Sequence, residues 1–203
     1  MQLQNIKNKI PSNVKLIAVT KGRAFNEINP LLKGGQLDFG ENRVEEATNK
    51  WSDVKLLYHD LTLHMIGKLQ NKKMKDIVQI FDVIHSVEST KNLDLLQKFA
   101  ELYNKNIKIF LQINLGKEPQ KSGIDESSIE ELINYCKTKQ NIQLLGLMIL
   151  PPINEPPKPY FIKLSNLAKK YNLTNLSMGM SEDYEEAISC GATHIRLGKI
   201  LFE

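Results

Sequence analysis

Cysteine is scarce in this sequence: Cys136 and Cys190 are the two in 203 residues, far apart and without CxxC or histidine-rich spacing around them. That argues against a disulfide framework and a zinc site, and both are expected to be buried as small apolar side chains. Long hydrophobic runs are missing too, since no apolar stretch approaches the roughly 20 residues a membrane-spanning helix needs. The opening "MQLQNIKNKIP" lacks the apolar core of a signal peptide, so the chain is expected in the cytoplasm. Aromatics are absent from the densest basic cluster, "GKLQNKKMK" at 67–75, which disfavours nucleic acid as a partner. The remaining lysines behind the net charge of +4 lie beside acids, as on solvated helix faces.

What is present is the balance of a globular protein, 41% hydrophobic and 25% charged, which is enough for one sizeable core and implies a single domain over 1–203. Short β-rich runs alternate with longer amphipathic stretches. The strand candidates are "VKLIAVT" (14–20), "LDFGE" (37–41), "LHMIG" (63–67), "VIHSV" (83–87), "IKIFLQINL" (107–115), "QLLGLMIL" (143–150), "NLSMG" (175–179) and "HIRLG" (194–198). Helical stretches lie between them, such as 90–105 and 125–139, the second with Asp125 as its N-cap. Eight alternating units predict an α/β fold, a (β/α)8 TIM barrel. A doubly wound open sheet is the alternative, but it would place a GxGxxG turn after its first strand, and "VTKGRAF" is not that turn.

In such barrels sites gather at the carboxyl ends of the strands, and closure makes the first strand a neighbour of the eighth. Lys21 ends the first strand and is therefore expected near Arg196, Gly198 and Lys199. Ser181 is placed to cap a helix beginning at Glu182 and Asp183. With the backbone N–H groups of Gly198 and Lys199, it reads as a two-loop phosphate cradle. Arg196 should point into the barrel mouth, where either a carboxylate such as Glu41 or a ligand answers its charge. Lys21 can snorkel to solvent, or its amine can form a Schiff base beside the phosphate, which suggests pyridoxal 5′-phosphate or a phosphosugar. Asn42 can cap a helix, bond a ring hydroxyl or hold Lys21. For His64 and His85, each in a strand, a satisfied packing role is the commoner one.

The segments "LIAVTK", "FGENRVEE", "LHMIGKLQNKK", "IHSVES", "QINLGKEPQKSGI", "GLMILPP", "LSMGMSEDYEEAISCGAT" and "IRLGKILF" together resemble the pyridoxal phosphate homeostasis protein family, which is similar to the alanine racemase N-terminal barrel. The resemblance runs in order from Leu16 to Phe202. It implies that Lys21 carries the cofactor as an internal aldimine, that Ser181 with the backbone of Gly198 and Lys199 holds its phosphate, and that Arg196 faces the pyridine nitrogen. It further implies that Asn42 and His64 line the pocket. An arginine at the ring nitrogen disfavours its protonation and makes the ring a weaker electron sink. Lys199 stands where the family commonly has Thr or Ser, and Lys72 where Asn is usual. Alanine racemase needs a second base, a tyrosine that depends on a C-terminal domain for which this chain has no room. The expected function is therefore that of a monomeric carrier that buffers pyridoxal phosphate or delivers it to apo-enzymes. A weak amino-acid racemase or lysine-dependent aldolase is the enzymatic alternative, and a module acting through a protein partner at Lys72 and Lys73 is the other.

Overall fold

Valine, isoleucine and leucine dominate the strand candidates, and in the computed structural model of the protein every one of these runs becomes a strand. The structure describes residues 2–116 and 122–203; residues 117–121, within "QINLGKEPQKSGI", lie outside the described residues. The strands are β1 (Lys15–Val19), β2 (Asp38–Glu41), β3 (Thr62–Met65), β4 (Val83–Val87), β5 (Ile107–Ile113), β6 (Ile142–Ile149), β7 (Asn175–Ser177) and β8 (His194–Leu197). All pair in parallel, in sequence order, and β8 closes on β1 with Ile17 opposite Arg196 and Lys15 opposite His194. This is the closed (β/α)8 barrel.

After the short α1 (Gln2–Lys7), the helices are α2 (Phe25–Lys33), α3 (Val44–Leu57), α4 (Met74–Ile80), α5 (Thr90–Leu102), α6 (Ile129–Lys137), α7 (Lys158–Lys170), α8 (Tyr184–Ser189) and α9 (Lys199–Phe202). Helix α5 is capped by Ser89, whose hydroxyl accepts the Asn92 N–H at 3.2 Å. Asp125 does not cap a helix as the sequence suggests. Its carbonyl accepts the Ser128 N–H at 3.0 Å, which closes a 3-10 turn over Glu126–Ser128 before α6 begins. Cys136 is buried, with its thiol pushed up to about 12 by burial, whereas Cys190 is half-buried and not the core residue expected.

Alternation along each strand sends one set of side chains outward and the other into the barrel. The outward set, including Phe39, Leu63, Ile84, Leu147 and Ile195, packs with the helices in one large core. A separate apolar cluster of Val83, Phe110 and Met148 fills part of the barrel interior. Around it the interior is polar: His64, His85, Ser177, His194 and Arg196 are all buried. Phe110 binds the two kinds of filling together, with its ring stacked on His85 at 4.5 Å between centroids and meeting the edge of His194 at 5.0 Å. Phe110→Ala should destabilise the barrel by about 3–5 kcal/mol, the usual cost of emptying a buried aromatic site. Chemical denaturation would measure the loss, and an unchanged midpoint would mean that the interior collapses around the gap.

Candidate active site

Six of the seven residues singled out from sequence line one cavity of about 710 Å³ at the carboxyl ends of the strands: Lys21, Asn42, Ser181, Arg196, Gly198 and Lys199. The loop after β6, with Leu150, Pro151, Pro152 and Ile153, forms its apolar side. His64 is the exception. It lies inside the barrel at 1% exposure and is not among the cavity's lining residues, because its ring points inward below the mouth and both its nitrogens are engaged there.

Lys21 follows the fully buried Thr20, and a polar knot holds the backbone on both sides of it. The Thr20 hydroxyl donates to Glu41 Oε1 at 2.7 Å, and the Gly22 N–H donates to Glu46 Oε1 at 2.5 Å. Lys50 joins the two, donating from Nζ to the Thr20 carbonyl at 2.7 Å, to Glu41 at 2.8 Å and to Glu46 at 3.0 Å. The Trp51 indole N–H adds a further bond to Glu41 Oε1 at 2.9 Å. Glu41 therefore answers Lys50 and not Arg196. Its Oε2 is buried without a partner among the described residues. Lys21 itself is exposed in the cavity, with no hydrogen-bond or ion-pair partner among the described residues. Two-point anchoring of its flanking backbone fixes the loop, and the side chain lines the cavity.

Opposite it stand the loops after β7 and β8. Ser181 does not cap α8: the Asp183 carboxylate accepts the Met180 N–H at 2.5 Å and closes a turn over 180–183, so the helix starts at Tyr184. The Ser181 hydroxyl instead accepts the Gly198 N–H at 3.3 Å, which ties the two loops together. Gly179 makes that turn possible at φ +93°, a backbone where a Cβ would strike Ala187. Lys199 begins α9 and is exposed.

Arg196 is 3% exposed, and its guanidinium donates to the Ser177 hydroxyl at 2.6 Å and to the Ile149 carbonyl at 3.0 Å. Among the described residues it has no carboxylate within ion-pairing distance. Burial lowers its pKa to about 10, with Asp183 opposing, so it stays charged at neutral pH. Behind it, burial holds His64 below its ordinary value, pushes His85 well below and takes His194 down to about 3, helped at His194 by the nearness of the titratable His64 and of the Lys15 charge. All three imidazoles are neutral at pH 7.

Asn42 is not a helix cap either, since Arg43 occupies that position of α3. Gly67, in the segment "LHMIG", is the residue that sequence reasoning passed over. A Cβ there would run into the Asn42 backbone, so only glycine lets the loop after β3 press Asn42 into its place on the cavity wall. Glycine at the end of a strand candidate is the one sign of this in the sequence. In the basic cluster, Lys73 pairs with Glu45. No group of three His, Cys, Asp or Glu converges on a metal position among the described residues.

The alanine racemase N-terminal domain family matches residues 1–203. The chain is similar to the pyridoxal phosphate homeostasis protein of Synechocystis sp., 39% identical over 202 residues that span 95% of this chain and 92% of that protein. The protein of the same name from Aquifex aeolicus is 38% identical, with coverages of 93% and 86%. PipY of Synechococcus elongatus, solved with PLP bound, superposes with a TM-score of 0.91 at 34% identity, over 100% of this chain and 98% of that one. Alanine racemase of Clostridium difficile, at 20% identity and a TM-score of 0.76, shares the fold over 98% of this chain and 55% of its own.

Two outcomes follow from the site's electrostatics. Lys50→Met should cost about 3–5 kcal/mol by stranding the buried Glu41 carboxylate, with the loss read from denaturant midpoints; a cost below about 1 kcal/mol would show that the ion pair barely repays its own desolvation. Because the buried histidines are depressed in the fold, the unfolded chain binds protons that the folded one refuses once the pH drops below about 6.5. Stability should therefore be full above that pH and fall towards pH 5, each histidine contributing up to about 1.4 kcal/mol per pH unit. Equal urea midpoints at pH 7.5 and 5 would contradict this.

Proposed function

The chain belongs to the pyridoxal phosphate homeostasis protein family, built on the alanine racemase N-terminal domain, and we propose that it binds pyridoxal 5′-phosphate through Lys21 and buffers or delivers it as a cytoplasmic monomer. The observation that carries this reading is the company Lys21 keeps. An amine on an anchored loop and a buried guanidinium, neither with a carboxylate partner among the described residues, share one cavity of about 710 Å³ with a two-loop cradle that has Lys199 beside it. Those residues fit the cofactor's aldehyde, phosphate and ring nitrogen in turn.

When bound, pyridoxal 5′-phosphate supplies an aldehyde carbon that an amine attacks and a ring able to draw off electron density. The protein's part is positional. The Ser181 hydroxyl and the N–H groups of Gly198 and Lys199 would hold the phosphate, the Gly198 N–H turning to it from the Ser181 oxygen that it reaches at 3.3 Å, and the Lys199 ammonium would supply charge where a hydroxyl is usual in the family. Glu182 and Asp183 line the same cavity, and their negative charge, which the Met180 N–H bond to Asp183 does not remove, would offset part of this attraction. Arg196 would face the ring nitrogen as a donor and, as a cation, would disfavour a proton on it. Asn42, fixed by Gly67, closes the side of the pocket.

A carrier is favoured over a racemase because racemisation needs proton removal and return by two positioned groups, of which Lys21 is one. The open mouth of the cavity supports delivery to apo-enzymes, and no helix among the described residues is long and apolar enough to cross a membrane. Purified protein given pyridoxal 5′-phosphate should show an absorption band at the edge of the visible that Lys21→Ala abolishes. A band that survives the substitution would move the covalent link to another lysine, and the lack of any band in the unaltered protein would overturn the reading.

A further inference from the structure

Beneath the cavity a continuous line of hydrogen bonds crosses the barrel interior, joining Arg196 to the amino-terminal end of the strands. Arg196 Nη1 lies 2.6 Å from Ser177 Oγ, which lies 2.8 Å from His85 Nδ1; His85 Nε2 lies 3.0 Å from His64 Nδ1, and His64 Nε2 lies 2.9 Å from Asp38 Oδ1. Asp38 sits at the start of β2 and also accepts from Lys15 at 2.9 Å, at the solvent edge of the barrel floor. The four links draw on β2, β3, β4, β7 and β8, and none of Asp38, His64, His85 or Ser177 lines the cavity.

The two ends dictate the polarity of everything between them. A guanidinium can only donate and a carboxylate can only accept. Ser177 Oγ therefore accepts from Arg196, and its single hydrogen goes to His85 Nδ1. That places the proton of His85 on Nε2, from which it donates to His64 Nδ1. The proton of His64 is in turn on Nε2 and donates to Asp38. Each donor meets one acceptor with both imidazoles neutral. Reversing the line would need a further proton on His64 and would leave the Ser177 hydrogen without a place in it.

We infer that Asp38, His64, His85 and Ser177 are positioning residues that hold Arg196 in one orientation, with its remaining N–H groups turned to the cavity, so that it acts there as a fixed donor. The charged and titratable groups facing the line agree with this polarity. Lys15 and Asp82 are felt at His64, and His194 and Arg196 at His85, where a second positive charge is resisted. Phe110, stacked on His85, prevents its ring from turning over. The step from a fixed donor to a fixed partner for the ring nitrogen rests on the function proposed above; the polarity of the line does not.

Nitrogen-15 NMR of the histidine rings, recorded without added cofactor between pH 6.5 and 8, tests the polarity directly. Both His64 and His85 should be neutral with the proton on Nε2, and Asp38→Asn, which keeps an acceptor oxygen, should leave them so. An Nδ1–H form or an imidazolium at either ring in the unaltered protein would overturn the inference. With pyridoxal 5′-phosphate added, Ser177→Ala should weaken binding about tenfold and shift the absorption band, and Ser177→Thr, which restores the hydroxyl, should recover both. An unchanged affinity and band in Ser177→Ala would overturn the positioning role. If the unaltered protein gave no band, the proposed function would fail while the ring tautomers still decided the polarity of the line.

Discussion

The pairing of β1 with β8 is the constraint on which the rest of the molecule depends. It sets Ile17 against Arg196 and Ala18 against Leu197, and so brings the residues after both strands, Lys21 on one side and Gly198 and Lys199 on the other, to one rim. No local interaction in the sequence could do this, since the two strands are separated by nearly the whole chain. Closure also removes the sheet edges, so every strand's backbone groups find partners and none offers a surface for unwanted pairing. A site made from the first and last strands exists only if all the intervening units fold in order.

Closure creates a second problem, because the barrel interior is too dry for unpaired polar groups. A buried guanidinium and the two buried histidines His64 and His85 would each be costly alone. The structure deals with them collectively, by linking Arg196, Ser177, His85 and His64 to Asp38 near solvent, so that one partly exposed carboxylate answers for the donors of several strands. Burial works against the charge on Asp38, yet the His64 N–H and the Lys15 ammonium together hold its carboxyl below the usual range. On the outside of the wall, the knot of Thr20, Glu41, Lys50 and Trp51 uses the same device around a single carboxylate oxygen.

This difference between local and collective interactions decides what can be read from the chain alone. The strands are legible because each is an apolar run of the right length bounded by breakers, and Lys21 and Arg196 are legible because strand order and alternation suffice to put them at the mouth. The partner of Arg196 is not. Glu41, at the end of a neighbouring strand, is a plausible carboxylate from the sequence, but its place against α3 is fixed by Lys50 and Trp51, and nothing in the segment "FGENRVEE" announces that. His64 shares a motif with the cavity loop yet points to the interior, a distinction of depth that periodicity does not encode. Ser177 and His85 lie 92 residues apart, so their bond is visible only once the barrel is closed. Ser181 shows the local version of the same limit: an Asp two positions later competes for the turn and displaces the helix start.

The two polar systems meet the cavity from different sides and leave different freedoms there. The knot around Lys50 fixes the backbone on either side of Lys21 and, among the described residues, makes no bond to its side chain. The line behind Arg196 does the opposite, fixing the tip of the side chain through its terminal nitrogens. A ligand held between them would be gripped rigidly at the arginine and loosely at the lysine. Such a division suits the proposed carrier role, because release would require the covalent end to move while the rest of the pocket keeps its shape. A racemase has the opposite need, since its bases must stay in register with both faces of the reacting carbon. An anchored guanidinium facing a lysine held only through the backbone of its neighbours is the arrangement on which the proposal of carriage rests.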